Sequence, residues 1–102
     1  MKIERSESYE EPALEWLYRE TARLREVLLS ARVSESVARS ICEEFIFRLA
    51  GGLDDEPVLV GQSQWVPALV FLSGGTALLP DLESFAWHDY AFGVTGEVFE
   101  AN

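Results

Sequence analysis

The apolar residues of this chain change their period once. Up to Gly51-Gly52 they recur at helical spacing, and from Pro57 onward they come as short β-branched or continuous runs bounded by glycine and proline. A chain that places its helices first and its strands afterwards folds as α+β with the two kinds segregated, not as alternating βαβ units. A length of 102 residues fits one domain, which buries roughly two thirds of the surface of its unfolded chain.

Residues 1–10 are polar and charged without an apolar period, and they read as a flexible N-terminal arm. The remainder, 11–102, reads as a single α+β domain. Pro12 suits a first helical position, where its missing N–H would have no partner anyway. Leu14, Leu17, Tyr18, Leu24 and Leu28 form one stripe, so a helix is predicted over about 12–30. Val37, Ile41, Phe45 and Leu49 form a second row, widened by Ala38, Cys42 and Ile46, which predicts a helix over about 35–50. The phase break between the rows, with Ser34 or Ser36 as cap, separates two helices, and the short linker makes them an antiparallel hairpin. Gly51-Gly52 is expected to end the second one.

The helix hairpin is expected to pack on an antiparallel sheet of four or five strands spanning about residues 57–100. Val58-Leu59-Val60 is one strand. Trp65 to Leu72 is a nearly continuous apolar run, predicted as a strand buried on both faces, with Pro67 confining it to an edge, a start or a bulge. Ser73-Gly74-Gly75-Thr76 is a hairpin turn, and Thr76 to Leu79 returns from it. His88 to Val94 and Val98 to Glu100 are predicted to form a last hairpin around Thr95-Gly96.

Charge narrows the function. The net charge is −10 and all eight bases lie in the first 48 residues, against ten acids there. Residues 49–102 carry eight acids and no Lys or Arg, so this half alone contributes −8. Such a chain lacks the basic footprint for direct nucleic-acid binding or for an anionic membrane surface. The first residues hold no apolar signal-peptide core and the one cysteine, Cys42, can make no internal disulfide, so a cytoplasmic location is expected.

No residue pattern carries a catalytic set, and no cofactor is expected. His88 and Asp89 would lie on opposite faces of a strand, which works against their pairing. Cys42 sits mid-helix on the apolar arc, the place of a structural thiol. The features that remain suit a binding surface: Trp16 and Phe47 off the main helix stripes, and Trp65, Trp87, Asp81, Glu83 and Asp89 in the acidic half. The expected function is therefore a non-catalytic protein-binding or regulatory module whose cation-free β half meets a protein partner, a basic one by charge. Two readings compete with it. One is a small metal-assisted enzyme or ligand binder built on Asp81, Glu83, His88 and Asp89. The other is a homodimer formed through Trp16, Val27 and Phe47.

Overall fold

A computed structural model describes residues 1–101. The fold is α+β, with three helices and two small sheets. Strand β1 (Lys2–Arg5) leads through a 3₁₀ turn at Glu7–Tyr9 into α1 (Glu10–Ser30), and α2 (Glu35–Leu53) follows. Strands β2 (Val58–Val60), β3 (Ser63–Trp65), β4 (Phe71–Ser73) and β5 (Thr76–Leu79) come next, and α3 (His88–Glu100) closes the chain.

The two long helices are separated by a Schellman motif. Val33 N–H donates to Leu28 C=O and Arg32 N–H to Leu29 C=O, both at 3.0 Å. Arg32 takes the left-handed conformation this requires, with φ at 66°. Ser34 then caps α2, its Oγ accepting the Val37 N–H at 3.4 Å. Gly51 and Gly52 do not end α2, which continues to Leu53. The positive φ that follows it belongs to Asp55.

The last element departs most from the sequence expectation. Residues 88–100 form a helix, not a hairpin around Thr95-Gly96. Ala91, Val94, Thr95, Val98 and Phe99 are its buried residues, a helical period that β-branched side chains and two glycines disguise. Tertiary packing overrides those local preferences, because α3 lies against both α1 and α2. The helical pair is thus packed on a third helix and not on a four- or five-stranded sheet.

Small residues stand where the helices meet. Ala13 and Thr21 of α1, Ala38, Cys42 and Ala50 of α2, and Ala91 and Thr95 of α3 are all buried. The two buried threonines satisfy their hydroxyls within their own helices: Thr21 donates to Leu17 C=O at 2.7 Å and Thr95 to Ala91 C=O at 2.9 Å. Bulk is supplied at one end by an aromatic cluster around Trp87, which is 0% exposed. Tyr9, Trp16 and Phe85 all meet its ring edge to face, with centroids 5.2–5.9 Å away. Burial pushes the Tyr9 phenol up from its ordinary pKa, and its hydroxyl donates to Leu69 C=O at 2.6 Å.

The strands form two sheets. One has the order β1-β5-β4, with β1 parallel and β4 antiparallel to β5. The other is the β2–β3 hairpin alone. Residues 1–10 are therefore not an unpaired arm. Lys2–Arg5 pairs with Thr76–Leu79, but its side chains stay largely exposed, so it leaves no hydrophobic pattern in the sequence. The run from Trp65 to Leu72 is not a buried strand either: it is split between the ends of β3 and β4, and most of it is exposed. Pro67 lies in the break, where it removes a ladder donor. The Gly74-Gly75 turn between β4 and β5 follows the sequence reading, with Gly74 at φ 58°.

Left-handed geometry at a non-glycine residue costs roughly 1 kcal/mol. Arg32→Gly is expected to raise the unfolding free energy by about 0.5–1 kcal/mol, part of the gain being lost to the freer unfolded chain. The readout is a higher denaturant midpoint at unchanged m; an unchanged or lower midpoint contradicts the Schellman geometry.

Candidate functional site

The most connected polar group is Asp54, just past the end of α2. Its carboxylate accepts the backbone N–H of Trp87 at 2.6 Å and of His88 at 2.8 Å, the amides that open α3. These are donors that a helix start otherwise leaves without partners. The capping carboxylate thus comes from 33 residues away in sequence. It also complements the positive end of the helix dipole.

His88 belongs to the same constellation. Its Nδ1 lies 2.6 Å from Asp54 Oδ2 and its Nε2 lies 3.3 Å from Asp89 Oδ1. The helix makes the second contact, since a strand would have sent His88 and Asp89 to opposite faces. The expectation of a strand at His88 is corrected: the ring is exposed at a helix start. Nδ1 is hydrogen-bonded to Asp54, whereas Nε2 has Asp89 near it without a hydrogen bond, and the side chain is half exposed.

Asp81 and Glu83 do not join His88. Asp81 turns back on its own chain, its Oδ1 accepting the Glu83 N–H at 3.2 Å, and Glu83 is exposed. Among the described residues no group of three or more His, Cys, Asp or Glu side chains could hold a metal ion. The four residues of the metal reading are thus separated into a capping site and a turn. Between them Leu82 lines a shallow hollow with Asp54, Asp55, Phe85 and His88.

The aromatic candidates divide in two. Trp87 is enclosed in the core, and Trp16 packs on it, half-buried, at 5.7 Å between centroids. The Trp87 ring is thus core and not surface, whereas the part-exposed Trp16 is divided between that core and the surface it was expected to share with Val27. Phe47 is exposed and stacks on Phe92 of α3, which is exposed as well, with centroids 5.1 Å apart. Trp65 is 65% exposed at the end of the β2–β3 hairpin.

That hairpin is the feature the sequence reading missed as a surface. Val58 pairs with Trp65 and Val60 with Ser63, which puts Val58, Val60 and Trp65 on one face. All six strand residues are exposed, Leu59 on the opposite face among them. Gly61, at φ 62°, opens the two-residue turn in the position where a type II′ turn places glycine. At the hairpin base, Asp55, Val66, Pro67 and Leu82 line a second hollow, which Arg5 of β1 also borders.

The charges are less segregated in space than along the chain. β1 carries Lys2 and Arg5 into the larger sheet, so the β region is not free of cations. Arg39 lies 3.8 Å from Glu100 and 3.9 Å from Glu43. Arg25 pairs with Glu35 at 3.0 Å and lies over the Phe99 ring. Among the described residues no ion pair involves Asp55, Glu56, Asp81, Glu83 or Glu97, so these keep their charge at the surface.

Cys42 is fully buried, and burial pushes its thiol up from the ordinary value, with nearby Arg25 acting weakly in the other direction. Among the described residues no helix is long and apolar enough to cross a membrane. No protein-family model, curated protein or solved structure matches the chain.

Two outcomes follow. Asp54→Ala removes both backbone acceptors and is expected to lower stability by about 1–2 kcal/mol, whereas Asp89→Ala costs a few tenths. Urea denaturation compares them; equal losses contradict the capping role. A thiol reagent is expected to label Cys42 only as fast as the native structure opens, so labelling at the rate of a free thiol would place the side chain outside the core.

Proposed function

We propose that the protein is a non-catalytic binding module that docks a basic protein partner on the β2–β3 hairpin. The observation that carries this reading is the exposed apolar face of Val58, Val60 and Trp65 on two strands that pair only with each other. An isolated two-stranded hairpin is marginal in water, and an apolar face on it is stabilised by something packed against it. The outer edges of β2 and β3 are also open to a further strand.

The surroundings suit a cationic partner. Asp55 and Glu56 precede β2 with only Pro57 between, and Asp55 lines the hollow at the hairpin base, where Arg5 is the one cation against these acids. Asp81 and Glu83 flank Leu82, which borders the same hollow. An acidic rim around an apolar centre speeds encounter with a basic surface and disfavours acidic ones, a second copy of this −10 chain included. A regulatory role needs no more chemistry than this, and a reducing cytoplasm suits a chain whose single thiol is buried.

The overall dimensions support an incomplete surface. The accessible area is 6951 Å² at 11.5 kDa, where a folded monomer of that mass exposes about 5,800 Å². The radius of gyration is 15.3 Å, against about 13 Å for a compact chain of this length.

The double substitution Val60→Glu and Trp65→Glu replaces exposed side chains and leaves the helical core intact. In affinity capture, wild type is expected to retain basic proteins at low salt and release them as salt rises, and the variant to retain none of them. Identical retention by the variant, or retention that grows with salt, contradicts the proposal.

A further inference from the structure

The β2–β3 hairpin has two outer edges, and its register makes them unequal. In an antiparallel ladder, pairs that exchange both backbone bonds alternate with pairs whose N–H and C=O point away from each other. The two-residue turn at Gly61-Gln62 makes Val60 and Ser63 a bonded pair, so Val58 and Trp65 are another. Leu59 and Gln64, between them, turn their backbone groups outward. Among the described residues neither of these two amides donates to another element.

On the β2 side the row of donors stops at once. The next outward position is Pro57, which has no N–H. On the β3 side Val66 repeats the parity of Gln64, and among the described residues its amide has no backbone partner either. Pro67 follows at an inward position, where its missing donor takes nothing from that edge. Ser63-Gln64-Trp65-Val66 carries no charge that would keep another strand away. The edges of the larger sheet differ. β1 carries Lys2 and Arg5, and β4 has no carboxylate on its strand or on the turn after it.

We propose that an extended basic segment of the partner adds to the β3 edge as a third strand, bonded to the backbone of Gln64 and Val66. The inference rests on the hairpin being the docking surface and states how the partner is held there. A third strand is what this hairpin lacks, since three strands with an apolar face hold together where two do not. Register sets the pattern of the segment. A side chain opposite Trp65 joins the face of Val58 and Trp65 and is apolar. Charge sets the rest. Continuing the Val58–Trp65 pairing past the strand ends brings Glu56 opposite Pro67 and Asp55 opposite Ala68. Asp55, Val66, Pro67 and Ala68 do line one hollow, with Arg5 as its one cation. A lysine or arginine of the segment just beyond Val66 lays its stem on this apolar lining and turns its charge to Asp55 and Glu56.

The probe is an end-capped peptide of alternating lysine and valine, about seven residues long, titrated with the full chain and followed by fluorescence anisotropy. Wild type is expected to bind it and not its glutamate–valine counterpart. Gln64→Pro removes an outward donor without touching a ladder bond and is expected to weaken binding about tenfold. Leu59→Pro makes the same change on the β2 edge and is expected to bind as wild type does, which controls for proline in the hairpin. In amide exchange on the wild-type chain, the peptide is expected to protect Gln64 and Val66 and to leave Leu59 open. Equal losses from the two prolines, or protection of Leu59, overturn the choice of edge. No binding of the peptide by wild type overturns strand addition. If wild type then still captures basic proteins and the Val60→Glu and Trp65→Glu variant does not, the hairpin reading stands without it; if neither captures any, that reading fails as well. Gln64 protection that rises with protein concentration without peptide gives the edge to a second copy and overturns the basic occupant.

Discussion

The Asp54 carboxylate leaves the end of α2 and accepts the two amides that open α3, at 2.6 and 2.8 Å. Much of the structure depends on that junction. It fixes where α3 begins, and Trp87, one of the two amides' owners, then enters the core as the ring that Tyr9, Trp16 and Phe85 surround. With α3 held there, Ala91, Val94, Thr95 and Val98 complete the packing of α1 and α2. Phe71 of β4 and Ala77 and Leu78 of β5 reach that core, and the β2–β3 hairpin does not. The hairpin finds no helix against it and remains exposed, and the outer side of α2 remains exposed because α3 occupies the inner one.

Local signals were enough for the elements whose cues lie within a few residues. Leu17 and Ile46 recur at helical spacing in α1 and α2, Ser34 caps α2, and the Gly74-Gly75 turn sits between β4 and β5, all readable along the chain. Residues 88–100 were misread because Val94, Thr95 and Val98 prefer strands and Gly96 prefers turns, while the force that makes them helical is packing against distant residues. β1 was missed for the opposite reason: its parallel pairing rests on backbone hydrogen bonds and buries too little to leave a pattern.

The candidate site was legible in part. Reading Glu83 and Asp89 as surface groups needed only their polarity and sequence context, and they are exposed, as is Trp65, whose apolar run pointed to burial. Trp87 needed knowledge of three other elements to be recognised as core. Asp54 needed a partner 33 residues away, so no motif could have identified it. One signal for α2 was present and went unused: its apolar residues span both sides of the helix, more than one internal face can bury. The charge asymmetry along the chain was real, but β1 and the Arg39–Glu100 pair soften it in space. What survives is an apolar surface with an acidic rim at the hairpin.

The central claim is that the β2–β3 hairpin has no support within its own chain. Native-state amide hydrogen exchange tests this most directly. Amides of the hairpin are expected to exchange through local opening, with protection far below that of Val94 to Phe99 in α3, which exchange near the global unfolding limit. Hairpin amides protected as strongly as those of α3 would mean that the chain itself covers this surface, and would contradict the account.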